Sequence, residues 1–254
     1  MTKKREASIE DTEGFTGRRP HVDPFIVGEK VTLAMTYFNV SAGYMTLETR
    51  PFVEVNGRKS YHFYLTAKSS KMFNMIYSVD DWAETFVDFE EMVPYTLGID
   101  VKESKQLKDI RSFFDWKTMT AQYWETKLTA DDGKKTRKKV WNILPFSQNV
   151  LSAAFYMRTF TYKPNKELAF RVADDGTNLV FTGKVLRYEK LKTEIGELDT
   201  IVVQPKITVD GMFKQMGEIF IWLTNDERKH IVRIESKIRI GTVIAKLKSI
   251  EYLR

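Results

Sequence analysis

Ile219-Phe220-Ile221-Trp222-Leu223 is a short apolar run, closed by the turn-like Thr224-Asn225-Asp226-Glu227-Arg228-Lys229. Beyond it, Val232, Ile234, Ser236, Ile238 and Ile240 fall on one side of an alternating run, with Arg233, Glu235, Lys237 and Arg239 on the other. A period of two describes an antiparallel strand with one face in a core and the other in water. Gly241-Thr242 breaks the alternation, and Val243 to Tyr252 reads as one more strand. The chain therefore ends in a meander of about three strands. That is a fold signal, and it names no reaction or ligand.

Working back from this meander, the same pattern recurs. Val31, Leu33, Met35 and Tyr37 alternate with Thr32, Ala34, Thr36 and Phe38. A second strand runs from about Gly43 to Val55, and Tyr61, Phe63, Leu65 and Ala67 form its return. Between them Asn56-Gly57 is a hairpin signal, because both residues tolerate the positive φ of a type I′ turn. Trp82 to Phe89 reads as a strand with Trp82, Glu84, Phe86 and Asp88 on one face and Ala83, Thr85, Val87 and Phe89 on the other. Lys102 to Phe114 fits a helix through Leu107, Ile110 and Phe114, but strand-like neighbours on both sides assign it to β. One helix is expected, at about residues 147–158, with Ser147 as N-cap and a stripe of Val150, Ala153, Ala154 and Met157 beside Leu151 and Phe155. About a dozen strands against one helix predict an all-β fold, an antiparallel sheet curled into a roll or open barrel with that helix packed against it. Met1 to Pro24 is polar and aperiodic and reads as a disordered leader or tether, leaving residues 25–254 as a single domain. The absence of a fixed-period repeat argues against propellers and solenoids.

The bulk properties bound the function classes. With 43% hydrophobic and 29% charged residues, disorder of the whole chain is excluded. A net charge of +6 favours anionic partners over acidic proteins in general, and is equally met by an ordinary basic surface. The chain has no cysteine, which removes disulfides, thiolate nucleophiles and Cys-ligated zinc, and suits an oxidising compartment. Apolar runs fall far short of the ~20 residues that span a bilayer. Lys3, Lys4 and Arg5 are not followed by an apolar region, so Met1 to Pro20 is not a signal peptide. A cytosolic protein and numbering that begins after a removed export signal both stay open.

No cofactor, metal or catalytic set is expected. His21, His62 and His230 lack the i, i+4 partner of a zinc hydrolase, and the sequence has no nucleophile elbow, P-loop or dinucleotide fingerprint. Among the acid pairs, Asp131-Asp132 and Asp174-Asp175 each precede glycine and read as turns. Asp80-Asp81 beside Trp82 keeps a carbohydrate-active cell-wall enzyme open as an alternative. Phe73, Tyr77, Trp82, Trp116, Trp124 and Trp222 are the candidate ligand-facing aromatics, lining the concave side of the curled sheet or else filling its core. Lys134, Lys135, Arg137, Lys138 and Lys139 are candidate contacts to an anionic partner. With Tyr123, Trp124 and Trp141 nearby they permit a second alternative, nucleic-acid binding, while on a hairpin they also serve as a charged edge that blocks strand pairing.

Two stretches carry a family likeness. Ile221 to Lys229, followed by Val232-Arg233-Ile234-Glu235-Ser236-Lys237 and Gly241-Thr242-Val243, resembles the C-terminal signature of the DUF3108 family of uncharacterised bacterial proteins. The opening Pro24-Phe25-Ile26-Val27-Gly28-Glu29-Lys30, with Tyr37, Ala42-Gly43 and Leu47-Glu48, is similar to that family's start. The likeness covers about Pro24 to Tyr252. It implies a β-rich protein exported to the Gram-negative envelope, with no activity to carry over. The resulting expectation is a monomeric, non-catalytic periplasmic protein that binds an amphipathic, lipid-like or glycan component of the envelope, or an envelope protein.

Overall fold

The computed structural model describes residues 15–16, 19–38, 40–164, 166–209, 212–214, 218–238 and 241–253. Most of the expected leader, residues 1–14 and 17–18, lies outside these, as do Arg239 and Ile240 of the last alternating run. Two short strands, β1 (Phe15–Thr16) and β2 (Arg19–Pro20), pair with each other. The rest is one antiparallel sheet. It contains β3 (Glu29–Tyr37), β4 (Val40–Val55), β5 (Arg58–Ser69), β6 (Asp80–Asp88), β7 (Pro94–Glu103), β8 (Gln106–Asp115), β9 (Thr120–Thr129) and β10 (Gly133–Asn142). After α1 (Val150–Tyr156) come β11 (Glu167–Asp174), β12 (Thr177–Thr193), β13 (Gly196–Val209), β14 (Met212–Lys214), β15 (Ile219–Thr224), β16 (Ile231–Ile238) and β17 (Gly241–Tyr252).

The strand order is β10-β9-β8-β7-β6-β5-β4-β3-β17-β16-β15-β13-β12-β11, with β14 beside β13. Nearly every neighbour is a sequence neighbour, as hairpin connections require. The exceptions are β15 beside β13, with β14 branching off between them in sequence, and β17 beside β3, which brings the closing meander against the opening one. Asn56 and Gly57 both take positive φ, 54° and 74°, so the β4–β5 turn is of the expected kind. At the other end, Gly28 sits at φ 87° so close to the C-terminal strand that a Cβ there would lie 2.0 Å from the Leu253 carbonyl oxygen. Only glycine fits that approach.

One face of the sheet is apolar and closes on itself. Val31, Leu33, Leu47, Tyr61, Phe63, Ala83, Val87 and Leu97 are all buried there, in register across β3 to β7. The helix occupies the inside of the curl. Its N-cap is Asn149 and not Ser147: the Asn149 side chain accepts from Leu151 N and Ser152 N, and the Ser152 hydroxyl accepts from Asn149 N. The Ser147 hydroxyl instead donates to the Leu144 carbonyl. Asn149 Nδ2 also reaches Thr85 Oγ1 at 2.8 Å on the sheet's inner face, which fixes the helix start against β6. Leu151, Ala153, Phe155 and Met157 are buried, whereas Val150, expected on the apolar stripe, faces out.

The sheet path does not close with a backbone ladder between its ends, β10 and β11. The chain after β10 bridges the gap instead, with Gln148 N donating to Arg171 O and Ala173 N to Gln148 O, both at 2.8 Å. Side chains complete this seam. Asp175, in the β11–β12 turn, pairs with Lys139 at 2.8 Å and Arg137 at 3.4 Å on β10, and Asn178 Nδ2 donates to Asn142 O. These groups are half-exposed, so each pair contributes only about 0.2–1 kcal/mol. Asp175→Ala is therefore expected to cost about 1 kcal/mol while selectively speeding amide exchange along β10 and leaving β5 and β6 protected. Uniform exchange across the sheet would show that the seam is not held by these pairs.

Candidate functional site

The inside of the curl is filled. Phe155 stacks on Phe63 with centroids 4.0 Å apart, Phe63 stacks on Tyr61, and Phe25 meets both sheet rings edge-on. A void of about 10 Å³ beside Phe155 is too small for a ligand. Trp222, expected to face a ligand, is buried, and its indole N–H is held by Glu189 at 2.5 Å.

The charged group in this interior is structural. Arg158, just past the helix, places both terminal nitrogens on Glu29 at 2.6 and 3.0 Å. It also donates to Pro24 O and Arg228 O, at 2.9 Å each. His230 Nε2 lies 3.1 Å from Glu29 Oε2 and carries the proton there, because an ionised carboxylate only accepts. Glu29, Arg158 and His230 are at most 3% exposed. Burial pushes the Glu29 carboxyl up, but the His230 hydrogen bond and the charge and hydrogen bonds of Arg158 outweigh it and bring it down to about 2. Four of the five guanidinium N–H groups are accounted for by these bonds. The cluster ties helix, opening strand, final meander and the segment before Phe25 together. That segment, read from sequence as the end of the leader, is docked: Arg19 donates to Tyr61 Oη and Phe89 O, and Arg228 to Asp23 O.

Open surface with ligand-like chemistry lies on the outside. Across β5 to β10 one register line runs Tyr64, Glu84, Gly98, Arg111, Trp124, Lys138. Trp82 stacks on Tyr64 at 6.1 Å, the Arg111 guanidinium carbon lies 5.4 Å from the Trp82 ring centroid, and Phe113 meets Trp124 edge-on at 5.3 Å. Alongside Phe113 is a cleft of about 680 Å³ whose walls include Tyr95, Trp116, Asn56 and Gln122. Among the described residues the side-chain amides of Asn56 and Gln122 make no hydrogen bond within the protein. The walls are firm. Trp116 Nε1 donates to Pro94 O at 2.8 Å, and Tyr95 Oη donates to Asp88, which also accepts from Arg58 Nε and Nη2 at the base of the Asn56-Gly57 hairpin. Burial pushes the Asp88 carboxyl up, but the bonds from Arg58, Glu91 N and Tyr95 outweigh it and hold it below the usual range. Burial and the bond to Asp88 push the Tyr95 phenol up to about 12, so it stays a neutral donor. Planar apolar rings beside free amides make a surface suited to a ligand with an apolar face and a polar edge.

The sequence candidates are thus scattered. Trp116 lines the cleft, while Trp82 and Trp124 stand on the same outer face. Phe73 and Tyr77 sit apart, in and after the short 3-10 turn Phe73–Met75, with Tyr77 Oη donating to Glu103. The basic run divides by strand alternation. Lys135, Arg137 and Lys139 project to the inner side and are paired with Asp132, Glu125 and Asp175, whereas Lys134 and Lys138 lie outside opposite Leu128 and Trp124. The acids are occupied. Asp80 pairs with Lys68, and Asp81 accepts from Lys102 N. Asp100 and Asp109 face each other across β7 and β8, yet each is held by a cation of its own strand, Lys102 or Arg111. His62, on the outer face, is paired with Glu84 at 3.2 Å. Phe113, Tyr95, Asn56 and Gln122 are not among the ligand-binding candidates of the sequence, where Asn56 reads as turn chemistry and the others as ordinary strand residues.

The family described as "Protein of unknown function (DUF3108)" matches residues 32–248. No curated protein matches the chain. Among solved structures, a β-barrel-like protein of the domain of unknown function DUF1849 from Brucella abortus is 12% identical with a TM-score of 0.58, covering 90% of this chain and 99% of that one. At this identity it shows a shared fold alone. Two others, a Bacteroides fragilis protein assigned as exported with a YmcC-like fold and a Parabacteroides distasonis protein assigned as a lipoprotein, are 6% and 8% identical. Their TM-scores are 0.39 and 0.40; each match covers 91% of this chain, with 98% and 99% of theirs. No helix among the described residues is long and apolar enough to cross a membrane.

Proposed function

The chain belongs to the DUF3108 family, and from that premise we propose that it is a non-catalytic protein of the cell envelope that binds a glycan in the outer cleft between Phe113 and Trp116. One observation carries the reading: the inside of the curl is packed, while the outside offers a firm aromatic cleft with unpartnered amides. A sugar ring presents a C–H face to an aromatic plane and hydroxyls to Asn56 and Gln122. Lys117, which also lines the cleft, favours glycans that carry acidic groups. A lipid carried within the curl is less well supported, because its volume is taken by α1. Phosphate tracking along residues 134–139 is less well supported too, because the run is split between two faces.

The test is titration of the full chain with chito-oligosaccharides, peptidoglycan fragments and an acidic polysaccharide, read by tryptophan fluorescence. Phe113 is half-exposed, so Phe113→Ala should leave the melting temperature within about 2 °C. Its affinity for the glycan should fall at least about tenfold, a loss of about 1.4 kcal/mol. Saturable glycan binding that Phe113→Ala leaves intact would move the site elsewhere. No binding to any glycan class would remove the reading.

A further inference from the structure

Met72, Met75 and Ile76 stand on the turn between β5 and β6 at 59%, 82% and 80% exposure, the last two being the most exposed large apolar side chains among the described residues. Phe38 and Val40, at 67% and 45%, stand on the neighbouring β3–β4 turn. Two hydrogen bonds hold the turns side by side: Ser70 N donates to Ala42 O at 2.8 Å, and the Ser70 hydroxyl to Ser41 O at 3.0 Å. Five apolar side chains thus share one end of the sheet.

This tip is built to leave water. Lys71 to Tyr77 carries one cation and no carboxylate, and residues 38–40 carry no charge. The backbone donors of the β5–β6 turn are met within the turn: Phe73 N by Ser70 Oγ, Asn74 N by Ser70 O, Met75 N by Met72 O, and both Ile76 N and Tyr77 N by Phe73 O. A segment whose amides are satisfied internally enters an apolar medium without stripping hydrogen bonds. Lys71 opens the turn, and Lys105 lies on the β7–β8 turn, which Ser104 N joins to Ser78 O at 3.0 Å. Both lysines are exposed, with no hydrogen bond or ion pair among the described residues. The acids set back from the tip are engaged: Asp80 by Lys68, Asp81 by Lys102 N, and Glu103 by Tyr77 Oη and Gln106 Nε2. A protein partner fits this shape poorly, because five side chains on two convex turns fall far short of the roughly 20–30 residues a side of a stable interface. A bilayer surface accepts a convex tip of any outline, and long lysine stems reach its headgroups.

We propose that this tip docks the protein on a lipid bilayer, with Met72, Met75, Ile76, Phe38 and Val40 entering just below the headgroups and Lys71 and Lys105 at the level of the phosphates. The tip is at the opposite end of β5 from the glycan cleft: Asn56 precedes that strand, Ser70 follows it, and its 12 residues span about 40 Å. Docking therefore points the cleft away from the bilayer. The tip needs nothing from the cleft, so the proposal stands whether or not the glycan reading holds.

The experiment is flotation of the full chain with vesicles of phosphatidylcholine containing about one-third phosphatidylglycerol. It is run at physiological salt and again at about 0.5 M, where charge attraction is screened. The chain is expected to float with the vesicles in both. Met75→Ser with Ile76→Ser should weaken vesicle binding at least about tenfold, because the exposed apolar groups that enter the bilayer are gone. Both positions are exposed, so the melting temperature should stay within about 2 °C. Ile76→Trp should strengthen binding, shift tryptophan emission to the blue on vesicles and be quenched by brominated lipid. Phe113→Ala should float like the unaltered chain. Binding that high salt abolishes, or that the double variant keeps in full, is adsorption of a chain of charge +6 and overturns the proposal. So does a chain that does not float, or an Ile76→Trp emission that vesicles leave unmoved. A dimer in solution that the double variant dissolves would assign the tip to a second copy instead and overturn it too.

Discussion

Glu29→Ala is expected to destabilise the protein by about 3–5 kcal/mol, because it strands a buried guanidinium without its counter-charge. In a chain of this length that corresponds to a fall in melting temperature of about 10 °C. The charge of Arg158 then has only the carbonyls of Pro24 and Arg228 to meet it, in a place where it is 3% exposed. Replacing both partners, Glu29→Leu with Arg158→Met, should cost less than Glu29→Ala alone, since no unpaired charge is left behind. If the single and double changes cost the same, the pair is not the pin described here. The acid limb supplies an independent check. Glu29 is held at about 2 against an ordinary value of 4.5. Because the folded-state value is depressed, its contribution is complete above about pH 4.5 and is lost as the pH falls toward 2. The shift is worth about 3 kcal/mol. Glu125 is also brought to about 2: burial pushes it up, and the bonds from Arg137, Lys108 and Tyr123 outweigh that. Glu29→Ala should therefore flatten the loss of stability between pH 4.5 and 2 without abolishing it. An unchanged acid limb would mean that Glu29 is not ionised in the folded protein.

The sequence made the strands legible and the interior much less so. Alternation located β3, β5 and β16, and Asn56-Gly57 located its turn, because both signals are local. Alternation also divided β6 into a Trp82 face and an Ala83 face, but could not say which one turned inward. Its aromatic type made Trp82 a candidate for the concave side. The structure buries Ala83 and Thr85, because α1 presses on that face and leaves room only for small side chains beneath Asn149. The same limit explains the basic run. Its residues are contiguous in sequence, yet a strand sends them alternately to Glu125 and Asp175 inside and to Trp124 outside. Glu29, Arg158 and His230 carried no signal at all, since the bonds that join them span 129 and 201 residues. The cleft escaped for a related reason. Asn56 read as turn chemistry and Phe113 as half of a strand, and only the curl of the sheet places the hairpin tip beside that ring.

Phe155→Ala bears most directly on where a ligand can and cannot bind. The ring is 2% exposed and lies flat on Phe63, so its removal deletes a whole aromatic contact from the middle of the core. The expected cost is about 3–5 kcal/mol. Phe155 is on a seven-residue helix fixed at its start by the Asn149 cap, so the helix cannot easily shift to fill the space. The deletion should therefore merge with the void of about 10 Å³ already present and leave an apolar cavity. Such a cavity stays dry and admits small apolar molecules. Benzene or xenon should accordingly raise the melting temperature of Phe155→Ala in proportion to the logarithm of its concentration, and leave the unaltered protein unmoved. Binding of glycan to the outer cleft, measured well below the variant's melting temperature, should be unaffected. The opposite pattern would be as informative. If the unaltered protein takes up benzene, and Phe155→Ala costs less than about 1 kcal/mol, the inside of the curl is a loosely filled pocket. A lipid carried within the sheet would then displace the glycan in the outer cleft as the better account of this family member.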